Sequence, residues 1–155
     1  MPTTRWLDES QQRHWRALLT GTSALFAALN HDLEAATGLA LNEYEVLVRL
    51  SEAPDRTLRM SVLAEGLVHS RSRVTHTVRR MEEQGIVRRQ RSSEDGRGVE
   101  CAMTEKGWEV LVAAAPLHVQ SVRDRLVDVV SREELATIGE AFERVAERIT
   151  ENPPS

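Results

Sequence analysis

Nowhere in its 155 residues does the chain hold an apolar run close to the ~20 residues that would span a bilayer. Its opening residues, MPTTRWLDES, also lack the basic start and apolar stretch of a secretory leader. A soluble protein of the cytoplasm, with no membrane association, is expected. The single cysteine, Cys101, can form no internal disulfide, and the five histidines show no CxxC or HxxxH spacing. Neither a metal site nor a cofactor is expected. Equally missing are a nucleophile elbow, a phosphate-binding glycine loop, an HExxH pair and paired carboxylates placed for a pocket, so an enzyme is not expected.

What is present is enough for one compact domain and too little for two independent ones: 155 residues, 41% of them hydrophobic. The formal net charge is −4, but its distribution is uneven. From Arg56 to Arg97 ten arginines stand against five acids, a local balance of +5, which leaves −9 for the remainder. A basic middle between acidic ends is the electrostatic footprint of a nucleic-acid-reading module carried on a differently employed scaffold.

Six helices and a hairpin follow from periodicity and caps. Asp8 opens a D-x-x-Q cap, and Trp15, Leu18, Leu25, Leu29, Leu33 and Ala36 recur near the helical period until Gly38 stops the helix. Asn42 and Glu45 read as the next cap, with Tyr44, Leu47 and Leu50 on one face and Pro54 ending the segment. Met60 to Leu67 and Ser70 to Gln84 read as two helices separated only by Val68 and His69. After Gly85, the segments Ile86 to Arg91 and Val99 to Met103 flank a turn with two glycines and an aspartate, the pattern of a small hairpin. Thr104 caps a helix reaching Val129, which Pro116 is expected to kink or break. Ser131 and Glu134 form a capping box for the last helix, striped by Leu135, Ile138, Phe142, Val145 and Ile149.

Helix, tight turn, helix, two-stranded hairpin is the order of a winged helix-turn-helix, whose second helix enters the major groove. At ~100° per residue, Val74, Val78 and Met81 share one side of that helix. Ser72, His76 and Arg79 fall opposite them, flanked by Arg73, Thr75 and Arg80. Hydroxyls and an imidazole can approach base edges, and arginines can fork onto guanine or phosphate. At the hairpin tip EDGRG, Arg97 stands between two glycines, where a guanidinium could enter a narrow minor groove, braced by Asp95.

Leu63 to Arg89 (LAEGLVHSRSRVTHTVRRMEEQGIVRR) resembles the helix-turn-helix and first wing strand of the MarR family of bacterial transcription regulators. Asp95-Gly96-Arg97 and Met103-Thr104-Glu105-Lys106-Gly107 match that family's D-x-R wing tip and (L/M)-T-x-x-G entry to the next helix. The resemblance implies a mainly α fold of about six helices with a β-hairpin wing, occupying residues 1–155. Its DNA-binding part would be 42–103, and helices 8–37 and 105–150 would form a dimerisation region. It further implies a homodimer, a repressor on a pseudo-palindromic double-stranded DNA operator. Ser70, Arg71, Ser72, Arg73, Thr75, His76, Arg79 and Arg80 would read the operator, and Arg97 would sit at the wing tip. Many relatives are released by a small anionic aromatic effector, for which Trp15, His31, Arg49 and His118 are candidate pocket linings. Others respond to thiol oxidation, but Cys101 falls in a wing strand and reads as a small buried hydrophobe. The alternative is a winged-helix protein-interaction module, which the Ser/Thr/His/Arg outer face disfavours.

Overall fold

In the computed structural model Asp8 caps the first helix as the sequence pattern requires. Its carboxylate accepts from Gln11 N at 2.8 Å while Gln11 Oε1 accepts from Asp8 N at 3.1 Å. Helix α1 then runs Glu9–Thr37. It is followed by α2 (Leu41–Ser51), a single 3₁₀ turn at Pro54–Arg56, β1 (Thr57–Arg59), α3 (Met60–Glu65) and α4 (Arg71–Glu83). The chain continues through β2 (Val87–Arg91), β3 (Val99–Met103), α5 (Glu105–Val122) and α6 (Arg132–Glu151). The structure describes residues 3–67, 71–94 and 96–153.

Three local expectations are corrected. Asn42 is not the cap of α2, which begins at Leu41 with Ala40 before it. Alanine has no side-chain acceptor, so Leu41 N donates across to Asn30 Oδ1 on α1 at 2.9 Å, and Glu43 Oε2, not Glu45, accepts from Ala40 N at 3.2 Å. Asn42 instead donates its side-chain amide to Thr77 Oγ1 on α4 at 3.1 Å. The wing is not a two-stranded hairpin alone: β1 pairs antiparallel with β3, giving a three-stranded sheet in the order β1-β3-β2. A three-residue strand carries too little periodicity to be read locally. Finally, of the kink or break expected at Pro116, the break is absent: α5 runs on through that residue. The helix loses one backbone bond there, but Leu111 and Ala114 in the preceding turn are buried in the core and hold it.

Residues up to His118 form one compact unit and those from Val119 another. The core of the first unit joins Leu47 and Leu50 of α2, Leu63 of α3, Val74, Val78 and Met81 of α4, Ile86 and Val87, Cys101 of β3, and Leu111 and Ala114 of α5. Burial of such side chains contributes about 1.5–3 kcal/mol each. The start of α5 is set by Thr104, whose Oγ1 donates to Gly85 O at 2.7 Å and accepts from Gly107 N at 3.1 Å. Gly107 lies so close to the Ile86 carbonyl that no side chain fits between them, which accounts for glycine at that point of the T-x-x-G pattern. Asp55 and Arg56 take left-handed φ values of 53° and 51°. Arg56 is held there by Trp108, its guanidinium 3.9 Å from the ring centroid, and by Glu105 at 3.6 Å.

In the second unit a stretch of π-helix at Arg123–Val127 precedes α6. Ser131 and Glu134 form the expected capping box, with Glu134 N donating to Ser131 Oγ at 3.1 Å and Ser131 N to Glu134 Oε2 at 2.7 Å. Ile138, Phe142, Val145 and Ile149 make an exposed apolar stripe along α6. No helix among the described residues is long and apolar enough to cross a membrane.

Candidate nucleic-acid interface

Helix α4 is placed by its inner face. Val74, Val78 and Met81 are buried, so Ser72, Arg73, His76, Arg79 and Arg80 are exposed on the other side and Thr75 is half-buried at its margin. Ser70 and Asp95 lie outside the described residues, as does the side chain of Arg71. The structure thus groups five of the eight expected reading residues on one exposed face.

Three ties fix that helix. At its C-terminal end Glu82 receives Arg89 from β2 three times: Arg89 N to Oε2 at 2.8 Å, and Nη2 and Nε to Oε1 at 3.0 and 3.3 Å. The backbone donor first, then the guanidinium, holds the Glu82 carboxyl below its ordinary value. Midway, Thr77 accepts from Asn42. Beside it Arg80 Nη2 stands 3.6 Å from Glu43 Oε1, an ion pair too long for a hydrogen bond. The Glu43 side chain is 2% exposed and that of Arg80 54%, so the arginine covers a buried carboxylate from the solvent side. Its guanidinium therefore has a packing task beyond any contact with phosphate.

The wing loop closes through Ser92, whose N donates to Gly98 O at 2.8 Å while Gly96 N donates to Ser92 O at 3.1 Å. Gly96 adopts φ 67°, a conformation favouring glycine, and Arg97 beside it is exposed. Within the wing, Cys101 is fully buried; burial, and then the nearby Glu82 carboxylate, push its thiol up to about 12. A thiol in that state is a packing group at neutral pH and not a nucleophile.

Of the four candidate pocket residues, the structure brings two together. A cavity of about 380 Å³ is lined by Phe26, Leu29, Leu41, Tyr44, Glu45, Val48, Arg49, Gly66, Leu67 and His118. Trp15 and His31 are not in its wall. Trp15 lies three turns from Phe26, and His31 is rotated about 140° from it around α1. Two polar residues of the wall, Arg49 and His118, carry buried nitrogens, Nε and Nδ1, that have no hydrogen-bond partner among the described residues. Burial holds the His118 imidazole below its ordinary value, so it is neutral at pH 7, and its ring lies 4.6 Å from that of Tyr44. Local reading missed Tyr44 and Phe26 as linings because an apolar periodicity does not distinguish a core face from a cavity face. A larger cleft of about 730 Å³ runs between α1, α2 and α4, lined in part by Ser72, Arg73, His76 and Arg80.

A helix-turn-helix followed by a three-stranded wing defines the winged helix-turn-helix class. The family model described as MarR family matches residues 37–98. AbsC, a MarR family transcriptional regulator from Streptomyces coelicolor, is 38% identical over 96% of this chain and 100% of its own, with a TM-score of 0.90. A second Streptomyces coelicolor regulator of the family, crystallised in complex with DNA, is 37% identical over 98% of this chain and 94% of its own, TM-score 0.91. The transcriptional regulator BldR from Sulfolobus solfataricus is 26% identical over 92% of this chain and 100% of its own, TM-score 0.77. Among curated proteins none matches the chain. The chain belongs to the MarR family of transcriptional regulators.

Proposed function

We propose that this regulator is a cytoplasmic homodimer that binds a pseudo-palindromic operator as a repressor and is released by a small anionic aromatic molecule. The observation that carries the reading is the exposed face of α4, where Ser72, Arg73, His76 and Arg79 stand opposite a buried apolar face. Hydroxyls, imidazole and guanidinium groups on one helix face are the side chains that reach base edges and phosphates in a major groove. Arg97 at the wing tip supplies the minor-groove contact, and Ser70, Arg71 and Thr75 complete the reading surface. The relative crystallised with DNA lends support. Dimerisation is supported by the exposed apolar stripe of α6 and by Trp15, Leu18, Leu19 and Phe26 on α1, faces that a lone chain would leave in water. Residues 8–37 and 105–150 form this dimerisation region, and residues 42–103 the part that meets DNA. The reading makes the protein a binding protein without catalytic activity.

The effector site is the 380 Å³ cavity. Its apolar walls suit an aromatic ring, and the buried Arg49 Nε offers a donor to a carboxylate or phenolate oxygen. The test is a mobility-shift titration of the DNA upstream of the protein's own gene, in excess competitor and across a salt series. Tight binding that survives competitor and weakens steeply with salt is expected. No preference over random DNA there, and none in a genome-wide binding selection, would leave a winged-helix protein-interaction module instead.

A further inference from the structure

The hairpin wing is braced from outside itself. Strand β1 runs directly into α3, and Arg59, its last residue, opposes Glu100 of β3. Because β3 lies between β1 and β2, the Arg59 side chain must cross the central strand to reach the other arm of the wing. It does so: Nη2 lies 3.5 Å from Ser92 Oγ and 3.5 Å from Glu94 Oε2, where the loop leaves β2. On the returning side Nη1 would stand 3.2 Å from a Cβ at Gly98, so the guanidinium packs against that glycine. Ser92 is itself the hub of the loop, bonded to Gly98 and Gly96 through its backbone and accepting from Glu94 N at its Oγ. One planar fork thus touches both arms of the loop that carries Arg97.

The backbone ladders end at Arg59–Glu100 and Arg91–Val99, short of the loop tip, and the contact of β2 with α4 lies near its base, at Glu82–Arg89. We infer that Arg59 is a positioning residue for DNA binding: it fixes the wing tip relative to α4, so that Arg97 and the α4 face engage one duplex together. The inference rests on the DNA-binding reading above. The exposed Arg59–Glu94 ion pair adds little stability by itself. What Arg59 supplies is geometry, through a fork that a single ammonium group cannot reproduce.

The experiment first selects an operator from a randomised duplex pool with the wild-type dimer. If no sequence is enriched, the DNA-binding reading fails, and this inference falls with it before any variant is made. With the operator in hand, binding is measured for wild type, Arg59→Ala, Arg59→Lys, Arg97→Ala and the Arg59→Ala/Arg97→Ala double variant. Each is measured on the full duplex and on one trimmed of the base pairs flanking the two α4 half-sites. Arg59→Ala and Arg97→Ala are each expected to weaken binding to the full duplex about tenfold, as loss of one groove contact does. The double variant should bind no worse than Arg97→Ala, and on the trimmed duplex all proteins should agree within about twofold. Arg59→Lys should behave like the alanine variant. Urea midpoints of the variants, matched to wild type, separate this from general unfolding, and Arg59→Lys carries the test should the alanine variant unfold. Multiplied losses in the double variant, an Arg59 loss that persists on the trimmed duplex, or full affinity in Arg59→Lys would overturn the inference.

Discussion

Replacing Arg80 with alanine separates its packing task from any contact with DNA. The guanidinium stands 3.6 Å from Glu43 Oε1, and among the described residues no hydrogen-bond donor reaches that oxygen. Removing it leaves a buried carboxylate oxygen without its counter-charge. An effective dielectric of about 20 would give a Coulomb attraction of about 4–5 kcal/mol at this distance, but Arg80 is half exposed and solvent screens the pair. Exposed pairs contribute about 0–1 kcal/mol, and breaking a buried one costs about 3–5 kcal/mol. A pair buried on one side only should lie between them, at about 2 kcal/mol. For a chain of this length that is a fall of about 4–8 °C in Tm, measured at fixed protein concentration because the proposed dimerisation would make Tm concentration-dependent. Glu43→Gln introduced into Arg80→Ala should recover most of the loss, since the amide carries no charge and can still accept from Ala40 N. Thermal unfolding followed by circular dichroism would decide it. An Arg80→Ala protein as stable as wild type, or a double variant weaker than the single, would refute the reasoning.

Other outcomes follow from the same geometry. Glu82 has its pKa depressed by Arg89, so its contribution is present above the ordinary glutamate value of 4.5 and is lost as pH falls through the folded value. Glu82→Gln should therefore lower stability at pH 7 and flatten the acid limb of a stability–pH curve, measured by urea denaturation; an unchanged acid limb would remove the contact from the ledger. His76→Ala is expected to weaken operator binding by about 1–3 kcal/mol and to relax preference at one base position, read by competition with single-base operator variants. Uniform weakening on every sequence would make His76 a phosphate contact instead. Cys101, buried with its thiol pushed up to about 12, should resist a thiol-specific chromogenic reagent in the native protein and react promptly in denaturant. Phe142→Glu places a charge in the apolar stripe of α6 and, on the proposed dimer, is expected to shift the protein from dimer to monomer by light scattering. A stable dimer would move the interface elsewhere.

The amino-acid sequence alone determined the helices and the outward face of α4, because caps and apolar periodicity are local properties that survive any tertiary arrangement. Asp8 with Gln11 and Ser131 with Glu134 cap helices as their spacing requires, and Val74, Val78 and Met81 fall inward as a period of 3.6 demands. Two of the three wing strands, β2 and β3, and the family were legible for the same reason, through turn residues and motifs at fixed offsets. The tertiary structure decided what depends on partners distant in the chain. Asn42 reads as a cap but bonds Thr77, 35 residues on. Arg80 reads as a DNA contact and also covers Glu43, and Arg59 reads as one basic residue among ten yet spans the wing loop from a strand too short to announce itself. The cavity, too, exists only where α1, α2, the end of α3 and α5 converge. Periodicity tells which way a side chain points from its own element, and only the packing of elements tells what it meets there.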